Sequence, residues 1–216
     1  MTMTGSSLRC WRKFEQIASA FLLGAVLTAF LMVFAPDAQA QASLPEVSQL
    51  QLDRQPEGLY LAASVQFDLA SAVEDALQKG VPIYFVAEVE IYQSRWYWYA
   101  KRVLSAQRHL RLAFQPLTRR WRVSTSPGTI SNSGLGLALH QNFDSLDEAV
   151  ASVKRFSRWK IADTLDLESE KNHTLEFRFR LDVSQLPRPF QIGALGQSDW
   201  TLATSATRQV PNQENK

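Results

Sequence analysis

The chain has very little cysteine. Its one cysteine, Cys10, precedes a long apolar run, and no cysteine follows that run. This excludes a disulfide and a thiolate metal site from everything after the run. It also excludes a thiol-linked lipid anchor, because the lipidated cysteine of a lipoprotein signal follows the apolar run. The composition, 45% hydrophobic and 20% charged, is typical of a globular domain and excludes collagen-like and mostly disordered chains.

Recognisable catalytic and metal-binding motifs are also missing. The sequence has no GxSxG nucleophile motif, no phosphate-binding P-loop and no complete GxGxxG. His109, His140 and His173 stand in unrelated segments without metal-ligand spacing, and we expect them to be solvated. We therefore predict no catalytic residue, no cofactor and no metal site in a protein that is not an enzyme. A Ser-His-Asp triad stays open, because its members need not be close in sequence.

An export segment opens the chain. Residues 17–35 are nineteen uncharged, mostly apolar residues, and three basic residues precede them: Arg9, Arg12 and Lys13. A positive region before an apolar run is typical of a secretory signal or a membrane anchor. The positive charges keep the N-terminus in the cytoplasm, so the rest of the chain is expected on the far side of the membrane. We predict a periplasmic protein that uses the general secretory route.

Two outcomes stay open for residues 1–40. Ala38 and Ala40 have the small-x-small spacing that a signal peptidase recognises, which predicts a cleaved signal peptide. The apolar run is also long enough to span a hydrocarbon core of about 30 Å, which predicts an uncleaved tether to the inner membrane through residues 17–35. Both outcomes place a domain at 47–205 outside the cytoplasm, after a linker at 41–46.

Short alternating strands dominate that domain. The clearest strand is predicted at 82–92. A strand at 174–183 is predicted to point four apolar side chains into the core: Leu175, Phe177, Phe179 and Leu181. Further strands are predicted at 47–53, 58–67, 95–100, 110–114, 121–123, 135–139, 159–167 and 199–205. This pattern predicts a mainly β (α+β) domain, an antiparallel β-sandwich-like fold preceded by the N-terminal signal or anchor helix.

Two short helices interrupt the strands. They are predicted at 68–79 and 145–156, where Ser71 with Glu74 and Ser145 with Glu148 have the spacing of a capping box. Three segments are predicted to be irregular: the Ser/Thr/Gly loop 124–133, the proline-containing loop 185–189, and a disordered polar tail at 206–216.

Two smaller groups of residues offer binding or chemistry. Glu88 and Glu90 are two carboxylates on one strand face, which would suit glycoside hydrolysis. The alternative is that they pair across strands with Arg178 and Arg180. Tyrosines of the string at 95–99, Tyr97 and Tyr99, form a candidate aromatic platform for a sugar or a peptide.

Acidic residues are missing between Glu90 and Asp144, although the net charge is only +2. The same stretch carries eight basic residues: Arg95, Lys101, Arg102, Arg108, Arg111, Arg119, Arg120 and Arg122. Arg108 and Arg111 are both expected to point away from the apolar side of their strand. One interpretation is a surface for an anionic ligand, a membrane surface or an acidic envelope protein, and not for nucleic acid. The other is that these residues pair with acids of neighbouring strands.

Several sequence strings resemble a known family. They are FDL at 67–69, GVPIYF at 80–85, RWYWY at 95–99, PLTRRWRVS at 116–124, SLDEAV at 145–150 and LDVSQLPRPFQI at 181–192. Together, over about 47–205, they are similar to the Gram-negative signal-peptide proteins grouped as domain of unknown function 4390. The resemblance implies a periplasmic or membrane-tethered protein of unassigned activity, encoded near a membrane histidine kinase of the nitrogen-regulation type. It implies no catalytic residues.

These observations predict an exported, non-catalytic binding or accessory module at the periplasmic face of the inner membrane. The resemblance adds a link to an envelope or membrane-sensor function. The alternative is an envelope-directed hydrolase that acts on a glycan or lipid, through Glu88 and Glu90 or through a triad that the sequence does not reveal.

Overall fold

The computed structural model describes residues 44–94, 99–128, 138–163, 172–194 and 196–210. The strands in these ranges are β1 Glu46–Gln55, β2 Gly58–Gln66, β3 Ile83–Gln93, β4 Lys101–Gln115, β5 Arg120–Ser126, β6 Leu139–Phe143, β7 Arg155–Ala162, β8 His173–Leu181 and β9 Ala203–Val210. The helices are α1 Ser71–Gln78, α2 Leu146–Lys154 and α3 Arg188–Ala194. Single 3-10 turns lie at Val183–Gln185 and Ser198–Trp200.

The strands form two antiparallel sheets. One has three strands in the order β1-β2-β7, and the other has six in the order β6-β5-β4-β3-β8-β9. Every pairing between neighbouring strands is antiparallel. This confirms the prediction of a mainly antiparallel, sandwich-like β domain with short helices. Ala42–Lys216 form one compact unit with a hydrophobic core of its own, which is the property expected of a folding unit.

Phenylalanine rings hold the two sheets together. The predicted inward set of β8 is confirmed, since Leu175, Phe177, Phe179 and Leu181 are all buried. Phe156 of β7 packs edge-on against Phe177 and Phe179, with ring centroids 5.6 and 5.9 Å apart. We call the face of the six-stranded sheet that carries these rings the inner face, and the opposite face, which carries Glu88 and Glu90, the outer face.

The two sides of the sandwich differ. On one side the edge strands β1 and β9 meet, and the Arg208 guanidinium donates a hydrogen bond to the Leu50 carbonyl oxygen. On the other side the edge strands are β7 and β6. A groove lies between them, and it is bounded by α2.

The helices depart from the sequence predictions at their ends. Helix α1 begins after Ala70, which has no capping side chain, so the prediction of Ser71 as a cap was wrong. The cap of α2 is confirmed, because the Ser145 hydroxyl accepts a hydrogen bond from the Glu148 backbone N–H at 3.2 Å. The 185–189 segment was predicted to be a loop, yet α3 begins at Arg188. Proline is tolerated in the first turn of a helix, where backbone N–H groups need no partner within the helix.

Several strands lie where the alternation was hard to recognise. Residues 124–126 were predicted to be a loop and belong to β5, and β4 is much longer than predicted. The last strand occupies Ala203–Val210 and not 199–205, so residues 206–210 are not a disordered tail. β9 is an edge strand that pairs only with β8 in its sheet, so its outward side chains are polar and its pattern lacks apolar alternation.

Other predictions fall partly or wholly outside the described residues. These are the signal or anchor at 1–40, the strand at 95–100 except Tyr99 and Ala100, which are not in a strand, residues 135–137, 164–167 and the end of the tail after Val210. Within the described ranges, no helix is both long and apolar enough to cross a membrane.

Candidate functional site

The eight basic residues do not form one surface. Arg95 lies outside the described residues. Arg111 pairs in register with Tyr84 and lies on the outer face of β4, whereas Arg108 pairs with Ala87 and lies on the inner face. The expectation that Arg108 points away from the apolar side was wrong. Arg108 is two residues from Leu110 and therefore shares the apolar phase of the strand.

Many arginines of the outer face pair with carboxylates. Arg102 lies 2.7 Å from Glu90, and Arg120 lies 2.7 Å from Asp144. The two predicted cross-strand partners also do so, with Arg178 at 3.1 Å from Glu90 and Arg180 at 3.1 Å from Glu88. The pairing interpretation therefore describes this part of the sheet.

Glu90 is held as a carboxylate. A hydrogen bond from the Tyr92 hydroxyl and another from Arg102, both 2.7 Å long, lower the pKa of Glu90. A general acid of a glycosidase needs a raised pKa. The environment of Glu90 is therefore that of a structural ion pair.

The candidate aromatic platform is only partly described. Tyr97 lies outside the described residues, and Tyr99 is 87% exposed just before β4. A platform needs a second ring beside the first, so Tyr99 alone does not define one.

The groove between β6 and β7 is a concave site among the described residues. Its floor is the inner face of β4, β5 and β6, and its wall is formed by α2 and the start of β7. The groove has a volume of about 600 Å³, which is within the usual range for a small-molecule site. The apolar residues of its lining are the exposed Leu139 and Ala151, the half-buried Phe143, and the buried Leu110 and Phe156.

Arg108 is the distinctive side chain of this groove. It is half-buried, and its guanidinium carbon lies 4.6 Å from the centroid of the Trp159 ring. Burial alone lowers the pKa of Arg108 to about 10, and no carboxylate among the described residues offsets that effect. Because a pKa of about 10 still leaves the side chain protonated at pH 7, Arg108 is a partly desolvated cation that has no anionic partner in the part of the chain that the structure describes.

Two other charged residues line the groove. Arg155, the first residue of β7, adds a second positive charge and is exposed. Glu148, in the first turn of α2, is the acidic member of the lining. About two helical turns separate Glu148 from Arg155, so the groove is basic at one end and acidic at the other.

Two histidines differ from the sequence prediction. His109 and His173 are buried, at 8% and 4% exposure, although they were expected to be solvated. His109 lies on β4 between neighbouring strands, and His173 opens β8 between β3 and β9, so sheet pairing removes both from solvent. His140 is exposed, and its Nδ1 lies 2.8 Å from the Ser124 hydroxyl. In the part of the chain that the structure describes, no cluster of residues could hold a metal ion.

His109 predicts a pH dependence of stability. Burial lowers its pKa, and the charges of Asp182, Arg180 and Glu88 act on it with opposing signs. The neutral form is favoured in the folded state, so its contribution to stability is complete above a pH of about 6.5 and is lost as the pH falls through the lower folded-state pKa.

We expect His109→Gln to flatten this dependence. Urea unfolding at pH 7.5 and 5.5 should show a smaller loss of unfolding free energy in the variant than in the wild type. All other titratable groups are common to both proteins. An equal loss in both proteins would contradict the assignment.

The fold defines an antiparallel β-sandwich domain with one open side and a basic groove in that opening. The chain belongs to the family described as Domain of unknown function (DUF4390), whose model matches residues 42–210. This confirms the resemblance found in the sequence strings. No curated protein and no solved structure matches the chain.

Sequence reasoning missed most of the groove. It singled out Arg108 for its charge, but not Arg155, Leu139 or Phe156, which come from segments far apart in the sequence. The sequence did contain one signal, because alternation along β4 places Arg108 on the apolar face of the strand. A charged residue on an apolar face indicates a site inside the fold.

Proposed function

We propose that this protein is an exported, non-catalytic binding module that acts at the periplasmic face of the inner membrane and holds an anionic ligand in its groove. The observation that carries the proposal is Arg108, a partly buried cation that has no carboxylate partner among the described residues and lies at the edge of the groove. Burying a charge without a partner costs free energy, so such a residue is favoured where a ligand supplies the opposite charge.

Arg108 differs from the ion-paired arginines of the sheet. Arg102, Arg120, Arg178 and Arg180 each have a carboxylate within 3.1 Å. Among the described residues neither Arg108 nor Arg111 has such a partner, and of these two only Arg108 lines the groove. This distribution supports a binding role for Arg108 over a role in holding the sheet together.

The export segment supports the location. Residues 17–35 with their preceding positive charges direct the domain out of the cytoplasm, whether cleavage occurs after Ala40 or the segment stays as a tether. A reporter that is active only in the cytoplasm, fused after Lys216 of the full chain, should be silent. An active reporter would contradict the location.

A hydrolase that acts on an envelope glycan or lipid is the second candidate. The contact between the Ser124 hydroxyl and the His140 ring favours it, since a serine nucleophile needs a nearby base. Ser124 is only 3% exposed, and the described hydrogen bonds give His140 no carboxylate to orient it. Together with the ion-paired state of Glu90, this supports a binding module more than an enzyme.

The anionic probe 1-anilinonaphthalene-8-sulfonate tests the binding function. We expect the purified 42–216 unit to bind it saturably, and Arg108→Met to weaken binding at least about tenfold, the usual effect of losing one charged hydrogen bond. Met keeps an apolar contact with Trp159 and removes a buried charge, so the variant should be at least as stable as the wild type.

Arg111→Met is the matched control for this titration. Arg111 is also half-buried on β4 and has no carboxylate within 4 Å among the described residues, but it lies on the outer face. We expect this variant to bind the probe like the wild type. Equal weakening by both substitutions, or no saturable binding by the folded unit, would overturn the proposed function.

A further inference from the structure

We propose that the ligand of the groove is a single-chain anionic amphiphile, with its charged head on Arg108 and Arg155 and its alkyl chain along the floor towards Phe143. This inference rests on the proposed function and specifies the ligand class. It follows from the difference in charge between the two ends of the groove, from the exposed Leu139 on its floor and from the shape of the neighbouring edge strand.

The strand register sets the polarity of the groove. On the inner face, Leu110 lies level with Thr125 and Leu139, and Phe114 lies level with Trp121 and Phe143. Arg108 precedes the first of these rows and Phe143 belongs to the last. At about 3.4 Å per residue, the six residues from Arg108 to Phe114 span roughly 20 Å. The floor therefore extends along the strands, with a cation at one end and an aromatic ring at the other.

The charged residues of the wall follow the same direction along the groove. Helix α2 follows Phe143 and ends at Lys154, just before Arg155. Glu148 belongs to the first turn of this helix, and Arg155 follows its last residue. A carboxylate, phosphate or sulfate head is attracted to the Arg108 end, and Glu148 disfavours the opposite orientation. Charge complementarity thus fixes the direction in which an amphiphile lies.

The floor leaves one large apolar side chain uncovered, that of Leu139. In a β-sandwich the inner face of each sheet normally packs against the other sheet. Here the three-stranded sheet ends at β7, while the six-stranded sheet continues to β6. Leu139 points to the inner side of β6 and is 77% exposed. An alkyl chain would cover this surface and gain the free energy of apolar burial.

The free edge of β7 does not favour an extended peptide as the occupant. Arg158 has a positive φ of 48°, and the register of β7 against β2 shifts between Leu61 and Ala63. Such a bulge interrupts the regular row of hydrogen-bonding groups that an added strand requires. A flexible chain without hydrogen-bonding groups has no such requirement.

Calorimetric titration with a series of fatty acid anions tests the inference. Octanoate, decanoate and dodecanoate would be titrated into the 42–216 unit at pH 7.5, each below its critical micelle concentration. Each added CH₂ should tighten binding roughly fourfold, because burial of one CH₂ contributes a free energy equivalent to that factor. Affinity that is independent of chain length would overturn the inference.

A neutral ligand of equal chain length, 1-decanol, separates the contribution of the charged head to binding from that of the alkyl chain. Arg108→Met should weaken decanoate binding about tenfold or more and change decanol binding by less than about twofold. Arg111→Met, on the outer face, should change neither. Equal loss of decanoate and decanol affinity in Arg108→Met would contradict the placement of the head.

Leu139→Ser tests the placement of the chain. Leu139 is largely exposed, so the variant should fold normally, and its decanoate affinity should fall roughly fivefold or more. Unchanged affinity would contradict the proposed path. If the naphthalene sulfonate probe binds through Arg108 but chain length has no effect, the proposed function stands and this inference fails. If the probe does not bind either, both fail.

Discussion

Phe179→Ala is expected to lower the free energy of unfolding by about 3–5 kcal/mol, as truncation of a fully buried aromatic residue does. The Phe179 side chain is completely buried, and its ring centroid lies 5.5 Å from Phe67, 5.6 Å from Phe85 and 5.9 Å from Phe156. Phe67 directly follows β2, Phe85 lies on β3 and Phe156 lies on β7, so Phe179 links the two sheets. Removing it leaves a cavity that none of these strands can close without losing its pairing.

Thr207→Ala is the control for this substitution. Thr207 lies on β9, next to β8, and is exposed, so its truncation should change stability by no more than about 0.5 kcal/mol. Chemical denaturation of both variants gives the comparison. Similar losses of unfolding free energy in the two variants would contradict the assignment of the inner face of β8.

Gly58→Ala is expected to cost about 3 kcal/mol or more. Gly58 has a φ of +144°, which L-residues rarely adopt, and it opens β2 opposite the end of β7. A Cβ atom there would clash with the carbonyl oxygen of Ala162 and lie 2.8 Å from that of Asp163. The strand would have to move away from β7, so strain and lost pairing add together.

Gly80→Ala separates these two causes. Gly80 also has a positive φ, of 82°, but a Cβ atom there would have no neighbour within 4 Å. Only backbone strain applies, so we expect a loss of roughly 1–2 kcal/mol. The two variants would be compared by urea unfolding, and equal losses would show that close packing at Gly58 has been misjudged.

The sequence was most informative where one face of a strand is fully buried. In β8 the alternation of Leu175, Phe177, Phe179 and Leu181 leaves one register that hides all four side chains, and the structure has that register. In β9 the side chains are mainly polar because the strand lies at the edge of the sheet, so its limits could not be recognised. Alternation of apolar and polar residues arises where one face of a strand is buried. Edge strands have little buried surface, so they show little alternation.

The candidate site was predictable only in part. The excess of positive charge between Glu90 and Asp144 could be recognised in the sequence. Strand pairing, however, distributes these basic residues over both faces of the six-stranded sheet. Arg102 and Arg120 meet acids, whereas Arg108 enters the groove. Which residues form the wall opposite Arg108 depends on β7 and α2 lying beside β4. That arrangement is tertiary, and no local pattern in the sequence specifies it.

The proposed ligand and the proposed location fit each other. A module at the outer surface of the inner membrane is close to a source of molecules that carry one charged head and one alkyl chain. Such a molecule would supply an anion to the partly desolvated cation of Arg108 and would cover the exposed side chain of Leu139. Both features are unfavourable in the free protein and become favourable in the complex.

Nuclear magnetic resonance tests most directly whether an anionic ligand occupies the groove at Arg108. Decanoate would be titrated into ¹⁵N-labelled 42–216 unit while the Nε–H signals of the arginine side chains and the backbone amides are followed. The account predicts that the largest shifts arise at Arg108, along β6 and at the end of α2, with Arg111 unaffected. Shifts centred on Arg111 and the outer face, with Arg108 unchanged, would contradict it.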